Sequence, residues 1–526
     1  MPPDFDVLII GSGPAGVSAA FPLVEAGFKV LMIDGGKTAS LDPPVSSYLT
    51  LRNSNTDQSN LMIGKDFYSL KKKENSSPKL SVPHLSYVFA EYADANKILN
   101  QEFCGLGSLA VGGLSNAWGC GVACLSAFEA EDFPFDYNEL RKSYQIIANR
   151  IGVSGCHDDD MADYFGIDEW AQLPIQMDTL QGYIFNKYKK KSSRFKKVGF
   201  SLGRSRLAVL SEAYAGRTGC TLSSNCLWGC QNGSTYASKM DLTTLLSFPN
   251  FTHQPGYVAE NLEQKISFWS VNGSQKYGGI FSISAKKVML AAGTLATTRL
   301  AAVALELEKR IRVLTNPTAA FLLWLPRFVG AVRHDTLGLG QLSFKMGLPD
   351  GDSAFGATFS TNGIPVSDFV NHLPESRRYG IDIMKNILSS CVVANVFLPG
   401  TYSSNTAQIT TNGSLSISGS VDPNTTQTMR YLSKNLRKVF NSTGAFLIPS
   451  SFKVGAPGVD AHYAGTLPMR ENPVRGEASA SGELFSLKGL YVADGACLPS
   501  LTEKPHTLTI MANADRIARF IVKSQN

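Results

Sequence analysis

Long apolar runs are missing from this 526-residue chain. The most apolar internal stretch, residues 319–332, contains Pro326 and Arg327 and falls short of the about 20 residues that a membrane-spanning helix needs. No span is therefore expected. The segment after Met1 has no basic start and no small-residue cleavage site, so no export leader is expected, and the cytoplasm is the expected compartment. Charge is sparse as well. Lys and Arg (49) exceed Asp and Glu (43) by six, too thin a field for a nucleic-acid binder. The nine cysteines are odd in number and, without an export leader, argue for reduced thiols or a metal site over a disulfide framework. Histidine is scarce at seven, so the place of each one carries information. What remains, 44% hydrophobic residues over a long chain, is enough for a full-sized core and excludes disordered and collagen-like classes.

Positive charge is locally dense in two places. Lys71, Lys72 and Lys73 form one run, and Lys187, Lys189, Lys190, Lys191, Arg194, Lys196 and Lys197 form another. A solvated face accounts for such runs. The sharper alternative is a dock for a phosphorylated substrate or a peripheral contact with an anionic membrane surface.

The apolar run at Val7 to Ile10 stops at Gly11-Ser12-Gly13-Pro14-Ala15-Gly16, a helical pattern follows, and residues 29–34 read as a second buried strand. This is a βαβ unit. Gly11, Gly13 and Gly16 allow a tight turn and the approach of a phosphate to a helix N-terminus, with Pro14 and Ala15 in the same turn. Asp34, at the end of the second strand, is placed to accept from ribose hydroxyls, and together these features point to a dinucleotide. FAD is preferred to NAD because the far end of the chain supplies another apolar strand, ending in Asp494-Gly495, before an amphipathic helix at 506–523. Asp494 also suits a helix N-cap. Between these ends, residues 35–100 read as surface loops, 137–151 and 297–307 as helices, and 315–455 as short strands with one helical piece at 381–390.

With these motifs in order, the chain resembles the glucose-methanol-choline (GMC) oxidoreductases. The resemblance rests on the N-terminal fingerprint, on Val111-Gly112-Gly113-Leu114-Ser115-Asn116-Ala117-Trp118-Gly119, and on the C-terminal segment 491–514. Residues 292–300 look like a degenerate second signature, with Thr297-Thr298 where Ser-Pro usually stands. The branch that looks most similar is that of pyranose oxidase and bacterial sugar dehydrogenases. The resemblance implies an α/β fold. Its Rossmann-like FAD-binding domain would be built from both chain ends (1–150, 205–312 and 456–526), with a sheet-based substrate domain from 151–204 and 313–455.

It also implies roles. His462 matches the family's catalytic histidine and His506 the second position, giving a base and a partner for the alcohol oxygen, in either order. Gly112, Gly113, Ser115, Asn116, Gly495 and Thr507 would border the flavin, Ser115 and Asn116 facing its ring system or its pyrophosphate. Ala117 replaces a histidine that is bonded covalently to flavin in pyranose oxidase, so the FAD is expected to be non-covalent. Cys220, Cys226 and Cys230 resemble the [3Fe-4S] ligand set of bacterial FAD glucose dehydrogenases, although Trp228-Gly229 would equally mark a packed turn. The implied reaction is hydride transfer from an alcohol, in this branch a sugar or glycoside hydroxyl, to FAD. Reoxidation would be by an electron-acceptor protein, a quinone or oxygen. The alternative is a flavin-containing lyase of the hydroxynitrile lyase kind, with no net redox.

Overall fold

The structure, a computed structural model, describes residues 3–40, 42–54, 63–71, 77–276, 278–364, 369 and 376–524. The apolar run near the N-terminus forms strand β1 (Phe5–Ile10), helix α1 (Pro14–Glu25) carries Pro14 in its first turn, and strand β2 (Val30–Asp34) follows. β1 is buried because it is central: it lies parallel to β2 on one side and to the strand Gly279–Leu290 on the other. Phe251–Pro255 extends the sheet beyond β2, and Leu490–Val492 joins Gly279–Leu290 at Val288–Leu290, both in parallel register. Three distant stretches of chain thus end their strands along one edge, the edge at which open parallel sheets bind ligands. The antiparallel strands Trp269–Gln275 and Tyr257–Gln264 continue the sheet from the first half of Gly279–Leu290. The C-terminal helix Thr507–Lys523 packs on α1, so both chain ends close one core.

A second, antiparallel sheet orders Phe446–Leu447, Thr318–Trp324, Cys391–Phe397, Ser353–Ser360, Gly340–Gly347 and Phe200–Arg204, with Lys453–Val454 also on Thr318–Trp324. Its side chains alternate. Ala319, Phe321 and Leu323 enter a core with Leu432, Leu436 and Phe440, whereas Thr318, Ala320 and Leu322 line the cavity described below. The helix that covers this sheet, Pro423–Thr443, is the element that the sequence reading of 315–455 as strands omits. Its Asn, Thr and Ser content resembles loop, yet Met429, Leu432, Leu436, Val439 and Phe440 recur at helical spacing, and the Asp422 side chain accepts from Asn424 N at 2.7 Å as its N-cap.

The helix expected at 297–307 begins earlier, at Thr294, directly after Gly293, whose φ is 87°. The piece expected at 381–390 is the helix Arg377–Ile387. The 137–151 helix is Tyr137–Ile151. No helix among the described residues is long and apolar enough to cross a membrane.

Leu436 is fully buried between the long helix and the sheet. Leu436→Ala should cost about 2–5 kcal/mol and lower the thermal midpoint while FAD content stays at the wild-type level. An unchanged midpoint would show that this helix does not hold the sheet.

Candidate active site

The turn after β1 is built so tightly that two of its glycines are required by the protein itself. Gly11 adopts a φ of 111°, and a Cβ there would lie 2.2 Å from the Ala291 carbonyl oxygen. A Cβ on Gly16 would lie 1.9 Å from the Gly11 carbonyl oxygen. Gly13 differs: it is extended, at φ −66° and ψ −179°, and a Cβ would meet nothing within 4 Å. Space is left above Gly13 at the N-terminus of α1, where backbone N–H groups favour a phosphate. Gly13, Pro14 and Ala15 line the cavity, and Gly16 packs behind them.

Asp34 stands at the end of β2, its carboxylate accepting from Ser12 Oγ, from Gly36 N at 2.8 Å and from His253 Nε2 at 3.0 Å. A carboxylate offers about four acceptor positions, so one is left for a ribose hydroxyl. The Ser12 hydroxyl in turn accepts from Gly112 N at 3.0 Å, tying the flavin loop to the glycine turn. Ser238 completes the tie, its hydroxyl lying within hydrogen-bond distance of the carbonyls of both Ser12 (3.0 Å) and Gly112 (2.9 Å) and sharing its one proton between them. Neither Ser238 nor His253 belongs to a motif, and nothing in the sequence marks them.

The loop itself departs from expectation. Gly113 and Ala117 line the cavity, but Ser115 turns back to the Gly112 carbonyl and to Ser238, and the Asn116 amide donates to the carbonyls of Val111 (2.9 Å) and Gly113 (2.8 Å). Gly112, Ser115 and Asn116 brace the loop from behind. Asp494 likewise serves the backbone first: it accepts from Gly293 N at 2.9 Å, Thr297 Oγ1 at 2.5 Å and Ala496 N at 3.0 Å, and burial pushes its carboxyl up to about 6. It is the N-cap of the short turn Gly495–Cys497 and ties that turn to the start of the Thr294–Ala304 helix at the cavity edge, beside Thr507.

His462 and His506 meet, with ring centroids 4.6 Å apart and planes at 80°. Asn316 fixes the first of them. Its amide nitrogen donates to the carbonyls of Leu398 (2.7 Å) and Thr502 (2.9 Å), so its Oδ1, 3.0 Å from His462 Nδ1, acts as an acceptor. The network therefore assigns the proton of neutral His462 to Nδ1 and leaves Nε2 bare. Asp460 clamps the same two residues by their backbones, accepting from Asn316 N (2.9 Å) and His462 N (3.2 Å), and Phe397 stacks on the His462 ring at 5.2 Å.

Burial holds the His462 pKa well below the usual histidine range, and the neighbouring His506 and Lys79 lower it further. His506, at the N-cap of the C-terminal helix, is lowered by burial to about 4, and the positive end of that helix acts in the same direction. Its Nδ1 is buried without a hydrogen-bond partner among the described residues.

One continuous cavity of about 1440 Å³ runs from Gly11 and Asp34 past Gly113 and Ala117 to His462 and His506, and on to the open face of the second sheet. It exceeds a typical ligand pocket, with room for a dinucleotide and a substrate together.

The cysteine expectation requires correction. Among the described residues no group of three His, Cys, Asp or Glu side chains can hold a metal, so an iron–sulfur cluster at Cys220, Cys226 and Cys230 is unsupported. The loop is organised around Trp228 instead, which is fully buried, stacks on Tyr48 and donates to the Gly363 carbonyl at 2.8 Å. Burial raises the Cys220 thiol and pushes that of Cys226 up to about 12, whereas the Cys230 thiol is lowered, burial being outweighed by hydrogen bonds from Ser234 and Thr235. The basic run at 187–197 lies on the helices Thr179–Lys189 and Ser192–Lys196 and does not line the cavity. Lys72 and Lys73 lie outside the described residues.

A family model described as GMC oxidoreductase matches residues 402–514, and one described as Pyridine nucleotide-disulphide oxidoreductase matches residues 5–100. No curated protein matches the chain. Among solved structures, pyridoxine 4-oxidase from Mesorbium loti is similar with a TM-score of 0.59 at 14% identity, covering 98% of this chain and 99% of that one. A variant formate oxidase from Aspergillus oryzae is similar with a TM-score of 0.61 at 13% identity, covering 99% and 98%. These structures share the fold over essentially the whole length.

The glycines separate two requirements. Gly16→Ala should lower the thermal stability of the apoprotein and abolish FAD retention, because its Cβ meets protein. Gly13→Ala should leave the apoprotein's midpoint unchanged and weaken FAD binding alone, because only a bound phosphate would meet the new methyl. Calorimetry of apoprotein with an FAD titration checks both, and equal FAD affinity in Gly13→Ala and wild type would show that the cradle does not receive the pyrophosphate.

Proposed function

We propose, from the premise that this chain is a GMC oxidoreductase, FAD-dependent and acting on alcohol-type substrates, that His462 is the base that removes the hydroxyl proton. His506 holds the alcohol oxygen. The observation that carries this reading is the commitment of both ends of the Asn316 amide, which leaves His462 Nε2 as an acceptor beside His506. The glycine turn, Asp34 and the flavin loop would hold FAD, which supplies the hydride acceptor when bound.

The chain's own residues do the rest. Asn316 accepts the Nδ1 proton of His462 and so stabilises the imidazolium that forms as Nε2 takes the hydroxyl proton. A neutral His506 offers a ring N–H to the alkoxide that develops on the oxygen. Both rings sit in a largely apolar wall with Phe397, where such interactions are strengthened. We read the substrate as a small alcohol, with a sugar hydroxyl as the class suggested by the resemblance. The Asn395 amide suits a polyol: its Oδ1 already accepts from Ala357 N at 3.1 Å, and its nitrogen is left for a hydroxyl. Ala117 offers no nucleophile to the flavin, so the FAD is read as dissociable and should be released by acid.

Alcohol substrates should bleach the flavin in the absence of oxygen, and His462→Ala should slow that reduction by about 10²–10⁴-fold with FAD still bound. A flavin that stays oxidised during turnover would instead place the chemistry in the lyase class. Because both histidines are held neutral, kcat/KM should not show an acid limb near pH 6.5, the ordinary histidine value. The fall should come only in more acidic solution, as His462 gains the proton that removes its acceptor. A limb centred near 6.5 would contradict the assignment.

A further inference from the structure

The cations around the cavity are paired or solvated, with one exception among the described residues. Arg206, in the wall, bridges Asp159 at 2.9 Å and Asp168 at 2.6 Å. Lys504, next to the wall, bridges Glu129 at 2.6 Å and donates to the Cys124 carbonyl at 3.1 Å. Lys453, at the rim, is exposed to water. Lys79 lines the same cavity as the two histidines, and its ammonium makes neither an ion pair nor a hydrogen bond to any described residue.

Its position is held by local chemistry. Lys79 lies in the short turn Pro78–Ser81, where the Ser77 hydroxyl accepts from Lys79 N at 3.4 Å, and Pro83 starts the next turn. Burial pushes the ammonium down to about 8, and the Cys120 thiol, which would raise it as a thiolate, is itself held protonated and uncharged by burial. The charge of Lys79 is close enough to His462 to depress its protonation further. No carboxylate among the described residues opposes it. A half-buried cation with no partner among the described residues is costly, and this one lines the same cavity as His462.

We propose that Lys79 is the counter-ion for an anionic group of the substrate, so that the enzyme's substrates are alcohols carrying a carboxylate or a phosphate. This deepens the alcohol-oxidation reading and rests on it. It also moves the anion dock suggested by the lysine runs to a single lysine inside the cavity. The same cation helps to keep His462 neutral in the resting enzyme and would attract the alkoxide.

The test uses FAD-loaded enzyme and two kinds of probe. Benzoate and phenyl phosphate, which cannot be oxidised at a carbinol, are titrated against the absorbance of the oxidised flavin in wild type, Lys79→Met and Lys79→Arg. At least one of the anions should bind wild type, about tenfold or more tightly than Lys79→Met, with Lys79→Arg restoring most of the loss. Which anion binds separates carboxylate from phosphate. Anaerobic flavin reduction by benzyl alcohol, 4-(hydroxymethyl)benzoate and 4-(hydroxymethyl)phenyl phosphate should then show a preference for an anionic alcohol that collapses in Lys79→Met. FAD content equal to wild type certifies each variant, and Lys79→Gln replaces the methionine variant if it loses FAD.

Equal anion affinity in wild type and Lys79→Met, or no anion binding at all, would overturn the proposal. A shift in flavin potential with unchanged anion affinity would do the same and assign the cation to the reduced flavin. Lys79-dependent anion binding without flavin reduction by any alcohol would uphold the anion site and strike the oxidation reading instead.

Discussion

The proposed chemistry depends on one committed amide. Asn316 donates twice to backbone carbonyls from distant parts of the chain, Leu398 just after a strand of the antiparallel sheet and Thr502 in the C-terminal segment. A primary amide so bound has one orientation, and its oxygen must face His462. Asp460 reinforces the arrangement by accepting from the backbones of both residues, which keeps their separation fixed independently of either side chain. An imidazole held in this way needs no reorganisation before it accepts a proton, and preorganisation of that kind is where polar active sites gain most of their effect.

The fold brings this site to FAD by ending strands from three parts of the sequence at one edge. β1, Gly279–Leu290 and Leu490–Val492 run parallel, and their carboxyl ends deliver the glycine turn, the Gly293 turn and Asp494. Close backbone approach makes the first of these turns glycine, with Gly11 against Ala291 and Gly16 against Gly11, whereas Gly293 is required by its φ of 87°. The antiparallel sheet supplies the opposite wall, one face turned mainly to the long helix and the other to the cavity. The segment around Pro78–Ser81 adds a third side, with the cation of Lys79, which has no partner among the described residues.

Much of the first domain was legible because its constraints are local. A glycine turn between an apolar run and a helical pattern can be read from a few adjacent residues, and Asp34 follows from the geometry of the second strand. His462 and His506 were legible only through motif matching, since nothing local distinguishes a packed histidine from a reactive one. Asn316, Asp460, Ser238, His253 and Lys79 were not legible. They are common residue types brought to the site from distant positions, and their importance lies in partners that the fold supplies. The long helix Pro423–Thr443 was hidden by polar composition, although its apolar spacing was present. The cysteine spacing misled for the opposite reason: it permits convergence, but the burial of Trp228 decides how the loop folds.

The most direct test of the account is the tautomer and charge of His462 in the resting holoenzyme, read by ¹⁵N resonance on selectively histidine-labelled protein with His462→Gln for assignment. The account predicts a neutral ring protonated at Nδ1 that persists below pH 6.5, the ordinary histidine value. A ring protonated at Nε2, or an imidazolium at neutral pH, would contradict it, because His462 would then have no acceptor to offer the alcohol.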